Sequence, residues 1–289
     1  MTKDISASIR ARLKKIAKAE GSKSDFTAVL TRYGLERLLY RIGISKYASQ
    51  FLLKGALLFN LWYDMPHRPT KDIDLLGVGS NELNYLTSVF KEICSITADD
   101  GMVFDEKSVT AETIKKEGGY TGARIELFAE LSKARIKIQV DIGYGDAVTP
   151  GPIDANYPVL ISELPAPKIR IYPVYTVIAE KLHAIALLGM ANSRLKDYLD
   201  LYVLLSQEQL DNQVLAKAIH ATFTRRGMPV PEVLPVGLTD EFANDPSREL
   251  MWKAFLKKNE LEQRPLVEVI SLISTFIQTP MFLAKKAVF

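Results

Sequence analysis

Asp72 and Asp74 are the side chains best placed to do chemistry. They stand in Arg68-Pro-Thr-Lys-Asp-Ile-Asp-Leu75, behind the apolar run Phe51-Leu-Leu-Lys-Gly-Ala-Leu-Leu-Phe59. Side chains alternate across a strand, so a strand over 72–78 puts both carboxylates on one face and Ile73 and Leu75 on the other. Two hard oxygen donors near a glycine turn and basic residues suit magnesium and a nucleoside triphosphate. A third aspartate, Asp141, ends the run Arg135–Ile142, where Ile136, Ile138, Val140 and Ile142 alternate with Arg135, Lys137, Gln139 and Asp141. Three carboxylates from neighbouring strands would hold two magnesium ions about 3.5–4 Å apart, one activating an attacking hydroxyl and one clamping a triphosphate. The chemistry these residues imply is transfer of a nucleotidyl group with pyrophosphate leaving.

An isolated Asp-x-Asp is more often an exposed strand end than a metal site. Here the glycine and the third aspartate raise its specificity. Lys54 and Gly55 are expected at the start or interior of an apolar helix, where a glycine lets phosphate approach the backbone. Arg68 has the fork to bind phosphate bidentately, though a loop arginine is as often solvated. Further on, Lys181 is a point cation suited to a triphosphate, or else one half of a surface ion pair. Arg194, Asp197 and Asp200 are spaced by three and share one helical side, which for Asp200 suggests a structural ion pair.

The elements that must position these groups follow from periodicity. A basic amphipathic helix is expected over 4–19, with Ile5, Ile9, Leu13 and Ile16 on its apolar face. A second is expected over 25–41, interrupted at Gly43. A strand over 72–78 leads to a helix over 81–96, and strands follow over 123–131 and 135–142. The proline-rich stretch 143–173 reads as a loop leading out of the sheet domain. Helices are expected over 175–188, 193–205, 207–224, 246–257 and 264–277. The organisation is therefore α+β, divided into 1–160, with the sheet and the basic helices, and a mainly helical 161–289.

Composition narrows the classes. Residues 1–71 hold 14 Lys and Arg against 5 Asp and Glu, a net of +9, so the overall +3 leaves −6 for the remainder. A basic first quarter beside an acidic cluster suits an enzyme acting on a polyanion, although solvated helix faces account for it as well. Cys94 is the single cysteine, and His67, His183 and His220 match no metal-ligand spacing, so neither a disulfide nor a zinc site is expected. No apolar stretch reaches the roughly 20 residues of a membrane span and no apolar signal region opens the chain. The expectation is a cytoplasmic protein without a membrane partner.

These residues resemble the AbiEii/AbiGii toxin nucleotidyltransferases, which include the mycobacterial MenT toxins. The resemblance rests on Leu53-Lys-Gly-Ala56, Arg68-Pro-Thr-Lys-Asp-Ile-Asp-Leu75, Val140-Asp141, Ala179-Glu-Lys-Leu-His-Ala184 and Arg194-Leu-Lys-Asp-Tyr-Leu-Asp-Leu201. The Phe223–Pro231 segment and Trp252-Lys-Ala-Phe-Leu256 resemble the family's C-terminal region. It implies a polymerase-β-like nucleotidyltransferase domain with a mixed sheet, joined to a helical domain. It places the metal pair at Asp72 and Asp74 and further motif positions at Lys181 and Asp197. The family's glycine-serine or glycine-glycine is Gly55-Ala56 here, which removes the hydroxyl a serine would bring but keeps the backbone donor, and Thr70 falls where the family often has Ser or Thr, as a phosphate contact or a modification site. The implied activity is that of a magnesium-dependent toxin of a toxin–antitoxin or phage-defence pair. It would use an NTP, modify the 3′ end of tRNA and have a cognate antitoxin. A protein acceptor, or a site that binds nucleotide without transferring it, are the alternatives.

Overall fold

The computed structural model describes residues 5–20, 25–63, 70–115 and 121–286. They fall into two compact units, Met1–Gly145 with Ile153–Ile171, and Asp146–Pro152 with Tyr172–Phe289.

The first unit is built on one seven-stranded mixed sheet in the order β3-β4-β5-β2-β1-β7-β6. Its strands are β1 (Phe51–Lys54), β2 (Asp72–Gly77), β3 (Met102–Lys115), β4 (Thr121–Leu131), β5 (Ala134–Tyr144), β6 (Ile153–Asn156) and β7 (Lys168–Ile171). β2 runs parallel to β5 and antiparallel to β1, while β1 and β7 are parallel. Alternation gives the sheet two unlike faces. Ala123, Ile125, Leu127, Ala129 and Leu131 of β4 and Ile136, Ile138, Val140 and Ile142 of β5 are all buried. Helices α1 (Ile5–Glu20), α2 (Phe26–Ile44) and α4 (Leu83–Ser95) pack in this unit. A methyl group added at Gly34 of α2 would lie 2.3 Å from Ile136 Cδ1, so α2 crosses directly over the apolar face of β5. The polar members of the same strands, with Asp72 and Asp74, project on the other face.

Three expectations change here. The run Phe51–Phe59 does not open as a helix at Lys54-Gly55. It is the interior strand β1, a turn at Gly55-Ala56 and the short helix α3 (Leu57–Tyr63). β1 lies between two neighbours and is buried at all four positions, so it carries no alternation to separate it from a helix. The stretch 143–173 contains β6 and β7, which extend the sheet beyond β1. Gly43 does not interrupt α2 but lies within it. A Cβ there would stand 2.3 Å from the Lys168 carbonyl, so glycine is what lets α2 lie against the backbone of β7.

Arg41, fully buried on α2, holds the turn between α4 and β3. Its guanidinium donates to both carboxylate oxygens of Asp100, at 2.7 and 3.1 Å, and to the carbonyls of Arg37, Ile96 and Met102. All five of its N–H groups are thereby satisfied, which is the condition for burying a charge at tolerable cost.

The second unit is helical. It comprises α5 (Val174–Leu188), α6 (Leu195–Gln207), α7 (Asn212–Arg225), the short α8 (Asp240–Ala243), α9 (Pro246–Lys258) and α10 (Leu266–Lys286). Asp211 caps α7 by accepting from Gln213 N and Val214 N, and Asp245 caps α9 ahead of a proline at its first position. α10 continues past its expected end because Ile273, Ile277, Met281 and Ala284 prolong one buried face through Pro280. The spans Val174–Ala191 and Leu266–Lys286 reach the length and apolarity of a membrane crossing, contrary to the sequence expectation. Both helices bury one side against α6 and α7, as core helices do.

Candidate active site

Asp72 and Asp74 leave β2 on its polar face, between the buried Ile73 and Leu75. The strand register then lines up a row of charge across five strands. Lys54 of β1 is directly opposite Asp74, Asp74 is opposite Asp141 of β5, Asp141 is opposite Arg124 of β4, and Arg124 is opposite Glu112 of β3. Residues so paired in neighbouring strands point to the same face with Cβ atoms about 4.5–5.5 Å apart. The structure thus brings Lys54, Asp72, Asp74 and Asp141 to one side of the sheet.

The local fixings are specific. Thr70 Oγ1 donates to Asp72 Oδ1 at 2.7 Å, holding the carboxylate at the start of the strand. Gly55 has φ +76°, and an added Cβ would lie 2.3 Å from Asp74 Oδ2. Both the backbone conformation and the contact with the carboxylate therefore require glycine. Ala56 follows in the same turn and is buried. Gly55→Ala is expected to destabilise the first unit by about 1–3 kcal/mol through strain and displacement of Asp74. A lowered urea midpoint together with reduced transfer per folded molecule checks this, and an unchanged midpoint refutes it.

Asp141 is already engaged. Arg124 donates to its two oxygens, Nε to Oδ1 at 2.8 Å and Nη2 to Oδ2 at 2.9 Å, and Gln139 Nε2 donates to Oδ1 at 3.1 Å. This hydrogen-bonded carboxylate holds the Arg124 guanidinium well above its usual pKa, against a smaller opposing effect of burial. Among the described residues no group of three or more His, Cys, Asp or Glu side chains is placed to hold a metal ion. Asp72 and Asp74 have the oxygen donors a divalent cation prefers, whereas Asp141 as it stands is bound to a cation of its own. A cavity of about 620 Å³ lies against the sheet, with Leu53, Leu75, Lys168 and Arg170 among its lining residues. Leu53 and Leu75 alternate with Lys54 and Asp74, so these two lining residues leave the sheet on the face opposite the carboxylates.

The remaining motif residues belong to the second unit. Lys181 on α5 donates to Asp197 Oδ1 at 3.0 Å and to Asp200 Oδ2 at 2.6 Å, both on α6 and both buried. Arg194 Nε lies 2.6 Å from Asp197 Oδ2, an ion pair whose angle does not make a hydrogen bond. Burial pushes the Asp197 carboxyl up, but the cations of Lys181 and Arg194 outweigh it and hold the group below its ordinary range. Arg68 and His67 lie outside the described residues.

His183, two residues beyond Lys181, is buried with its ring edge-on to Phe223. Burial, then the nearby Arg226 guanidinium, pushes its pKa down to about 4. The unfolded chain takes up this proton near pH 6.5 and the folded one does not. Stability present above about pH 6.5 is therefore lost as pH falls toward 4, by at most about 1.4 kcal/mol per pH unit. Melting curves of His183→Gln are expected to lose that part of the acid slope, and an unaltered slope contradicts the assignment.

The description of the AbiEii nucleotidyl transferase toxins of type IV toxin–antitoxin systems matches residues 37–276. The chain belongs to the AbiEii family. It is accordingly a nucleotidyltransferase of a toxin–antitoxin system, with an NTP substrate and an antitoxin partner implied by the family. No curated protein matches it. Among solved structures it is similar to a candidate nucleotidyltransferase of H. pylori, with 16% identity and a TM-score of 0.48 over 90% of this chain and 95% of that one. It is also similar to JHP933 from Helicobacter pylori, with 18% identity and a TM-score of 0.47 over 86% and 89% of the two chains.

Proposed function

We propose that this AbiEii protein transfers a nucleoside monophosphate from an NTP to the 3′ end of a tRNA, with magnesium held at Asp72 and Asp74. The observation that carries the reading is the pair of carboxylates on one face of β2, with Gly55 against Asp74 and Lys54 across from it. In the step proposed, the acceptor 3′ oxygen bonds to the α-phosphorus and the bond from that phosphorus to the β-phosphate oxygen breaks. Pyrophosphate leaves, and the hydroxyl proton passes to solvent. Bound magnesium would neutralise charge on the triphosphate. Thr70 keeps Asp72 oriented, Gly55 keeps the backbone clear of Asp74, and Lys54 sets a cation beside it. Lys181 and Asp197 are assigned a part in the reaction by their family positions alone.

The basic N-terminal quarter supports a polyanionic acceptor only in part. Arg10 donates to the Ser132 carbonyl and Arg12 is paired with Glu163, whereas Lys14, Lys15 and Lys18 are exposed on α1. RNA held this way is expected to dissociate with rising salt. The test is purified protein with magnesium, total tRNA and each α-labelled NTP in turn, read on a denaturing gel. Label in tRNA supports the reading. Label in a protein band moves the acceptor to protein, and no label anywhere refutes transfer.

A further inference from the structure

We propose that Arg124 is a triphosphate-binding residue of this site and that Asp141 is its positioning residue, not a ligand of the metal. This rests on the nucleotidyltransferase reading and goes beyond it by redistributing two roles. The sequence pattern sets three carboxylates around the metal. The structure instead gives Asp141 a guanidinium across both of its oxygens and the Gln139 amide on one of them. A divalent cation brought to the same carboxylate would meet that guanidinium at close range, and like charges so placed repel strongly.

The bidentate grip fixes Arg124 in orientation. It spends Nε and Nη2 on Asp141, and its side chain keeps about a third of its surface exposed (31%) against 12% for Asp141. A planar fork anchored on one edge presents its remaining N–H groups in a fixed direction, which is how arginine is pre-organised for phosphate. Its place in the charge row is suitable. Arg124 stands two strands from Asp74, on the same face, with Lys54 on the far side of Asp74. A triphosphate held at Asp72 and Asp74 through magnesium would therefore have one cation on each flank. Glu112, directly across from Arg124 on β3, supplies the competing pull that Asp141 must overcome.

The experiment measures two affinities on the full chain, Mn2+ by electron paramagnetic resonance and magnesium tripolyphosphate by calorimetry. Tripolyphosphate removes any dependence on the base. Arg124→Gln is expected to weaken tripolyphosphate at least tenfold while leaving Mn2+ within twofold. Arg124→Lys, which keeps the charge without the fork, is expected to fall between the two. Asp141→Asn is expected to leave Mn2+ affinity within twofold and weaken tripolyphosphate several-fold, because Arg124 then turns to Glu112. Melting curves confirm that each variant is folded, and if one does not fold the other two decide. A tenfold loss of Mn2+ affinity in Asp141→Asn overturns the proposal by making Asp141 a ligand. Unchanged tripolyphosphate affinity in both Arg124 variants overturns it by making the pair purely structural. Asp72→Asn separates these failures from failure of the underlying reading. If it too leaves Mn2+ and tripolyphosphate binding unaltered, the site itself is misassigned.

Discussion

Replacing Asp72 and Asp74 together by asparagine is expected to lower nucleotidyl transfer at least about a thousandfold, the scale on which removing charge-stabilising groups acts in such sites. The fold should barely respond. Both side chains are half-buried, asparagine has nearly the same shape, and it still accepts the bond from Thr70. Removing two carboxylates from one strand face relieves their mutual repulsion, while Lys54 loses the charge opposite it. These opposing changes leave a net shift within about 1 kcal/mol. The double variant should therefore melt within a few degrees of the parent and lose both labelling and growth inhibition. A folded double variant that still labels tRNA at the parental rate would place the chemistry elsewhere.

How much of this site was legible depended on whether each element advertised itself. β2 and β5 did, because half-buried strands alternate and the alternation assigns each aspartate to a face. β1 did not, since a strand buried on both sides shows only an apolar run. β3 is an edge strand whose Asp105, Glu106, Lys107, Thr110 and Glu112 face water, so its polarity hid it. β6 and β7 are four residues each in a proline-rich stretch, too short to show a period.

Arg124 was hidden for a different reason. It is 17 residues from Asp141, and only the register of the β4–β5 hairpin brings them opposite. That register is fixed by the two-residue turn Ser132-Lys133, with φ of 45° and 68°. Such turns usually announce themselves with Asn-Gly or Asp-Gly. Ser-Lys gives no such signal, so the partner of Asp141 could not be read. On α6 the spacing of Arg194 and Asp197 was readable, and the ion pair is present. The grip of Lys181 on both Asp197 and Asp200 was not, because it depends on how α5 meets α6.

That grip makes Lys181→Met the variant with the largest expected effect on stability. Asp197 and Asp200 are both fully buried, and Lys181 donates to each. Taking away the ammonium removes the cation that the two buried carboxylates share, while the Arg194 ion pair stays on Asp197. Breaking a buried charge pair in this way costs about 3–5 kcal/mol. One carboxylate should then hold a proton in the folded state with its pKa raised above the unfolded value. The sign follows: the variant gains stability as pH falls through that raised pKa down to the ordinary carboxyl range of the unfolded chain, a window in which the parent's Asp197, held low, gives no such gain. Urea titrations at several pH values check both size and direction. Adding Asp200→Asn removes the surplus charge and is expected to restore most of the stability. If transfer stays lost in the refolded double variant, Lys181 serves transfer as well as the fold. If transfer returns with stability, its part is structural alone.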